Sequence, residues 1–139
     1  EVVCYAPLAR GVLSGKYLLG APPPKQSRQN LESTFTMKSE YHPESLKLAG
    51  KIKQHVESRE IGPVQFAILW ILQNMTVKSI VSGPRNVEQL LGYLKAFEYS
   101  FTEEDECFVE SLIPAGQQIP VNHVNHFLPV MGRKLQKNI

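Results

Sequence analysis

The chain has 139 residues, 42% of them hydrophobic, which is enough for one ordinary domain with an apolar core. Its formal net charge of +2 is too small to indicate binding to nucleic acid or to an acidic membrane surface. The longest apolar run, Phe66 to Leu72, is far shorter than the ~20 residues of a membrane-spanning helix, and no signal sequence is expected at Glu1.

An apolar strand and a small-residue loop are the first predicted elements. The strand, Val2 to Tyr5, runs into a loop that contains Gly11 and Gly15 together with Arg10 and Lys16. The glycines let backbone N–H groups approach a polyanion closely, and the two basic side chains supply positive charge. These residues alone leave two interpretations open: a phosphate-binding loop, or an ordinary strand-to-helix connection whose glycines serve only backbone geometry.

A long loop and two helices come next. Residues 18–40 are rich in proline and polar residues, which predicts a surface loop. One helix is predicted to begin near Pro43 and a second at Pro63, because proline fits the first turn of a helix. Trp70 in the second helix is expected to lie in the core. The first helix is expected to bury a face formed by Leu46, Ala49, Ile52 and Val56.

Residues 77–91 predict a second strand, a turn and a third helix. The strand alternates only partly, so we expect it to be buried on both faces. Asn86 is the predicted N-cap, and Arg85 therefore lies at the positive end of the helix dipole, an arrangement that favours an anion. The alternative is that Arg85 is a solvated surface side chain. The helix carries an apolar stripe of Val87, Leu90, Leu91 and Leu94.

The last predicted helix opens with a capping box formed by Thr102 and Asp105. The acidic residues of its first turn are expected to complement the helix dipole and not to form a catalytic pair. Further along, His123 and His126 are a weak metal signal, and we expect no metal site there. The two cysteines are expected to be reduced core thiols of a cytoplasmic protein.

Two segments resemble aldo-keto reductases of the bacterial general-stress and potassium-channel β-subunit type. Residues 5–17, YAPLARGVLSGKY, resemble the segment after the seventh barrel strand of that family, and residues 77–91 resemble the turn that holds the adenosine 2′-phosphate. The resemblance implies an α/β fold that is the C-terminal part of a (β/α)8 barrel, about the last two β/α units. Residues 1–112 would belong to the barrel, and residues 113–139 would be a C-terminal extension that packs over it.

The resemblance also implies a function. The protein would be an NADP(H)-dependent oxidoreductase that reduces aldehydes or ketones to alcohols, and this chain would supply the part that binds the cofactor. Tyr5 would stack on the nicotinamide, and Arg85 would mark the preference for NADP(H). The pyrophosphate would be lined by Pro7, Leu8, Arg10, Gly11 and Lys16, with Arg28 approaching from the long loop. The adenosine end would be held by Gly83, Arg85 and Gln89.

The chain departs from the family pattern at two places. Ala6 stands where relatives usually have a serine, and Gly92-Tyr93 stands where they commonly have Glu-Asn directed toward the adenine amine. Tyr93 could replace that hydrogen bonding by stacking.

The family's catalytic aspartate, tyrosine, lysine and histidine have no matching positions here, so no catalytic residue is predicted. The resemblance implies two partners, a small carbonyl substrate and the missing N-terminal part of the barrel, and the composition predicts neither nucleic acid nor a membrane. The alternative is a non-catalytic NADP(H)-binding regulatory module or a truncated inactive fragment.

Overall fold

The computed structural model of the chain describes residues 1–30 and 40–115. These residues form two strands, β1 (Val2–Tyr5) and β2 (Val77–Val81). Their helices are α1 (Pro43–Glu57), α2 (Pro63–Leu72), α3 (Val87–Leu94) and α4 (Glu103–Leu112). Two short 3-10 segments lie at Ala9–Ser14 and Lys95–Glu98. Both strands and all four helices predicted from the sequence are present.

The two strands pair in parallel, with Val3 opposite Ser79 and Tyr5 opposite Val81. Helices α1 and α2 lie between the strands in sequence and supply the long crossover that a parallel pair needs. The strands are largely exposed, since Val3 is 57% and Val81 60% accessible. The prediction that β2 is buried on both faces is therefore wrong, because within the described residues each strand has a single neighbour.

The core lies mainly between the helices, with Ile80 of β2 packed against it. One cluster of buried residues gathers on α2, around Phe66 and Leu69, and takes Val56 from the end of α1. A second joins the N-terminal half of α1 to the first 3-10 segment and consists of Val12, Tyr17, Leu46 and Ala49. Helix α1 thus contributes to both clusters through the face predicted from its sequence, and Ile52 on that face is partly buried.

Three expectations about burial are wrong. Trp70 is 38% exposed, because α2 is apolar at every position except Gln65 and its sequence does not show which side faces the core. The stripe of α3 is also exposed, and none of its residues is buried. Cys4 is half-buried and Cys107 is exposed, so neither is a core thiol. Among the described residues, nothing covers the apolar stripe of α3.

Two further expectations concern membranes and metals. Among the residues described, no helix combines the length and apolar character needed to cross a membrane. The same residues contain no group of three or more metal-ligating side chains close enough to hold an ion. His123 and His126 lie outside the described residues, as does most of the proposed C-terminal extension.

Candidate functional site

A cavity of about 240 Å³ opens at the carboxyl ends of the two strands. Because β1 and β2 are parallel, the loops that follow them emerge at the same edge of the sheet. The cavity brings together all but one of the residues that the sequence analysis placed at the cofactor: Pro7, Leu8, Arg10, Gly11, Lys16, Arg28, Gly83, Arg85 and Gln89. Tyr5 is the exception, since it does not line the cavity and is 81% exposed at the end of β1.

The lining of the cavity is strongly cationic. Arg10, Lys16, Arg28 and Arg85 all contribute to it, and no carboxylate is among the described residues that line it. Arg10 is held in place by Glu40, whose Oε1 accepts a hydrogen bond from Arg10 Nε at 2.9 Å. Positive charge from three separate loops converges here, and a cleft lined by one sign of charge attracts the opposite ion.

The loop after β1 has an unusual backbone. Ala6, Ala9 and Arg10 have positive φ angles of 54°, 45° and 55°, in the left-handed region that non-glycine residues rarely adopt. Such conformations cost about 1–3 kcal/mol each and concentrate at functional sites. Ser14 Oγ donates a hydrogen bond of 2.7 Å to the Gly11 carbonyl and closes the loop. Ser14 also lines the cavity, although the sequence did not single it out.

Gly11 leaves room for the Lys16 side chain, and its own N–H is already used in a turn. Its N–H donates to the Leu8 carbonyl at 2.8 Å, so this amide belongs to the turn. A Cβ atom at Gly11 would lie 3.0 Å from Lys16 Nζ and 3.1 Å from its Cε. The Lys16 ammonium also lies 5.0 Å from the ring centroid of Tyr17, a buried side chain. The missing side chain at Gly11 therefore gives the lysine its place in the cavity.

The opposite side of the cavity is built around the start of α3. Asn86 caps this helix by accepting a 2.9 Å hydrogen bond from the Gln89 N–H, as predicted. Gln89 Oε1 in turn accepts a 2.8 Å hydrogen bond from the Arg85 N–H. This reciprocal pair fixes the turn, while the exposed Arg85 guanidinium borders the cavity.

Arg28 is positioned by a local turn in the long loop. The Ser27 N–H donates to the Pro24 carbonyl at 2.8 Å, and buried Ser27 Oγ accepts from the Asn30 N–H at 3.3 Å. Asn30 Nδ2 donates to the Lys25 carbonyl at 2.8 Å. These bonds order the segment on both sides of Arg28, which is itself exposed and reaches the cavity.

A larger cavity, of about 370 Å³, lies among α1, α2 and the end of α4. Its walls are mainly apolar and include Ile52, Trp70 and Leu112. Glu40 is the one ionisable residue among the described residues that line it. This cavity lacks the charge that makes the smaller one a candidate for an anion.

A buried ionic cluster, which shares no residue with the cavity lining, joins α4 to α1. Asp105 is 1% exposed and accepts hydrogen bonds from His55 Nε2 at 2.8 Å and from the Arg59 guanidinium. Its other oxygen accepts from the Thr102 N–H at 2.8 Å and the Thr102 hydroxyl at 2.9 Å. The His55 ring stacks on Phe108, with centroids 3.9 Å apart.

Burial by itself raises the pKa of the Asp105 carboxyl, but the hydrogen bonds from His55, Arg59 and Thr102 outweigh it and leave the pKa below its ordinary value. The predicted capping box is present. The contacts of Asp105 with His55 on α1 and with Arg59 just after it were not predicted, because both residues lie about fifty positions away in sequence.

The family comparisons agree with this geometry. The model of the aldo/keto reductase family matches residues 1–113. The chain is 30% identical to the L-glyceraldehyde 3-phosphate reductase of Escherichia coli O157:H7 in an alignment of 122 residues that covers 83% of this chain and 34% of that protein. It is 30% identical to the uncharacterized oxidoreductase YrpG of Bacillus subtilis over 114 residues, 81% of this chain and 32% of that protein.

A solved structure shows the same fold. The glycerol dehydrogenase AKR11B4 from Gluconobacter oxydans superposes with a TM-score of 0.60 at 24% identity, covering 85% of this chain and 36% of that one. The chain thus spans about a third of the length of the curated relatives it matches. Its two-stranded parallel sheet with helices is part of a (β/α)8 barrel, as the resemblance predicted. By the match over residues 1–113, the chain belongs to the aldo/keto reductase family.

Proposed function

We propose that this chain is the cofactor-binding, C-terminal part of an NADP(H)-dependent reductase that converts aldehydes or ketones to alcohols. The observation that carries the proposal is the cavity lined by Arg10, Lys16, Arg28 and Arg85 without a carboxylate among its described residues. Lys16, Arg28 and Arg85, together with Arg10, which is ion-paired with Glu40, match the phosphate groups of a dinucleotide, and guanidinium groups bind phosphate oxygens in pairs.

The distribution of charge favours NADP(H) over NAD(H). Three of the cations come from the loop after β1 and the long loop, where they would hold the pyrophosphate. Arg85 stands apart from them at the N-terminal end of α3, where a 2′-phosphate would also meet the positive end of the helix dipole. Only NADP(H) carries that second phosphate.

The cavity is smaller than the ~300 Å³ at which sites for whole small molecules begin, so it would hold the phosphates and the adenosine end and leave the nicotinamide end outside. Tyr5 precedes the loop at the end of β1, and its exposed ring is available to stack on the nicotinamide. The bound cofactor supplies the hydride, while this chain binds it and orients the ring.

The carbonyl substrate and the proton donor would be held by the N-terminal part of the barrel. The exposed strands and the exposed stripe of α3 are the surfaces that this part would cover. The two free thiols fit a reducing compartment, which supports a cytoplasmic location.

A non-catalytic cofactor-binding module is the second candidate. It is favoured by the residues around the cavity, whose proposed roles are all in binding and orientation. The sequence immediately upstream of Glu1 discriminates between the two candidates. A reductase requires an aspartate, tyrosine, lysine and histidine there with the family's spacing, and their absence would leave only the binding module.

The test is a titration of the 139-residue chain with NADPH, followed by the fluorescence of the reduced nicotinamide. We expect saturable binding that weakens about tenfold in Lys16→Ala, since a hydrogen bond to a charged group contributes ~1.5–3 kcal/mol. Lys25→Ala is the matched control, because Lys25 is exposed and does not line the cavity. Absence of binding, or equal losses in both variants, would refute the cofactor site.

A further inference from the structure

The cavity has an apolar wall that includes part of α3, the helix that follows Arg85. Two side chains form it: Val64 from the first turn of α2 and Tyr93 from the last turn of α3. Both are half-buried, and both pack against the core cluster that contains Phe66 and Leu69. Tyr93 therefore both packs against the core and contributes to the cavity lining.

The spacing between the two helices is fixed next to this wall. Gln65, the neighbour of Val64, donates a hydrogen bond from Nε2 to the carbonyl of Gly92, the neighbour of Tyr93. This bond ties the first turn of α2 to the last turn of α3. Gln65 is thus a positioning residue for the apolar wall.

The one charged group at this end of the cavity is the Arg85 guanidinium, a donor. The side-chain oxygen of Gln89 accepts the Arg85 N–H, and the Gln89 NH₂ group is a further donor. Among the described residues that line the cavity there is no carboxylate to accept a hydrogen bond from an exocyclic amine. A ligand here meets cations and a flat apolar surface.

We propose that Tyr93 and Val64 are the platform on which the base of the bound nucleotide stacks, and that the site recognises the face of the base and not its edge. This inference rests on the proposed function, because the phosphates held by the cations would bring the base to the wall. Stacking on an aromatic side chain tolerates different bases, since every base has a π face. The site should therefore discriminate poorly between adenine and a base that lacks its amine.

The first experiment compares NADP⁺ with its hypoxanthine analogue, in which a carbonyl replaces the adenine amine. Both are titrated into the 139-residue chain by calorimetry. We expect dissociation constants within about threefold of each other. A preference of tenfold or more for the adenine form would overturn the inference, because it would require an acceptor that reads the amine.

The second experiment changes the platform. Tyr93→Leu keeps an apolar side chain but removes the π face, and we expect it to weaken both dinucleotides about tenfold, within the range measured for base stacking. Tyr93→Phe should bind both as the wild type does. Gln65→Leu should weaken both dinucleotides while leaving pyrophosphate binding unchanged. Equal affinities in Tyr93→Leu and the wild type would remove Tyr93 from the site.

Inorganic pyrophosphate separates the two proposals. It contacts only the cationic groups, so its affinity should be the same in the wild type and in Tyr93→Leu. If the chain binds pyrophosphate but neither dinucleotide, the platform is refuted and the anion site stands. If it binds none of the three, the proposed function fails and the platform with it.

Discussion

Asp105→Asn should destabilise the chain more than any other single charge removal on α4. The Asp105 carboxylate is buried and accepts four hydrogen bonds, from His55, from Arg59 and twice from Thr102. An asparagine has one acceptor oxygen, so its NH₂ group would face two of these donors. Removing one partner of a buried ion pair costs ~3–5 kcal/mol. Because Arg59 remains 31% exposed and His55 17%, we expect about 2–4 kcal/mol.

The assay is urea unfolding followed by tryptophan fluorescence. Trp70 is the single tryptophan of the chain and lies in α2, the helix that carries most of the core, so its emission changes when α2 unfolds. Glu104→Gln is the matched control, since Glu104 is exposed in the same helical turn and its dipole interaction contributes less than ~1 kcal/mol. If Asp105→Asn shifts the free energy of unfolding no more than Glu104→Gln, the cluster does not fasten α4 to α1.

Folding lowers the pKa of Asp105, so the stability that its carboxylate contributes is complete at a pH above the ordinary pKa of 3.8 and is lost as the pH falls through the lower folded-state pKa. Urea unfolding between pH 5 and pH 2 measures this loss. Arg85→Ala should weaken NADPH about tenfold but leave NADH nearly unchanged in fluorescence titrations, whereas Lys95→Ala at the other end of α3 should change neither. Gly11→Ala should displace the Lys16 ammonium and strain a backbone at φ 101°, with a loss of about 1–3 kcal/mol in stability and weaker pyrophosphate binding in calorimetry. The chain alone should self-associate in sedimentation velocity, because its strands and α3 expose apolar side chains.

Unfolding free energies that fall in parallel for Asp105→Asn and the wild type at low pH would assign the pH dependence to other groups. Equal losses of NADPH and NADH in Arg85→Ala would remove Arg85 from the 2′-phosphate. Gly20→Ala is the control for Gly11→Ala, because Gly20 also has a positive φ, 80°, but nothing within 4 Å of an added Cβ. If both variants bind pyrophosphate equally, the contact with Lys16 has no role. A stable monomer would contradict the expected self-association.

The helices were predictable because their signals are local. Pro43 and Pro63 mark the starts of α1 and α2, and Asn86 and Thr102 cap α3 and α4 through hydrogen bonds within one turn. Burial was less predictable, because it depends on what covers each face. The apolar pattern of α3 indicates a face to be covered, but the described residues of this chain do not cover it.

The cavity lining was predictable for a different reason. Its residues come from contiguous segments, and the parallel pairing of β1 and β2 brings the loops after them together. Val64 and Ser14 were missed because neither has a chemical signature in the sequence. The Asp105 cluster was missed because a capping box explained Asp105 fully at short range, and only the fold shows the contacts with His55 and Arg59.

Because the Asp105 cluster lies apart from the cavity, mutations in the cluster should change stability and mutations in the cavity should change cofactor affinity. Asp105 and its partners join α4 to α1, and none of them lines the cavity. Asp105→Asn should therefore lower stability but leave the affinity of the folded chain for NADPH unchanged. Arg85 is exposed and has no ion pair among the described residues, so Arg85→Ala should lower affinity without lowering stability. Measuring both quantities on both variants tests whether binding and folding reside in separate groups of residues, since coupling between the sites would make each variant change both.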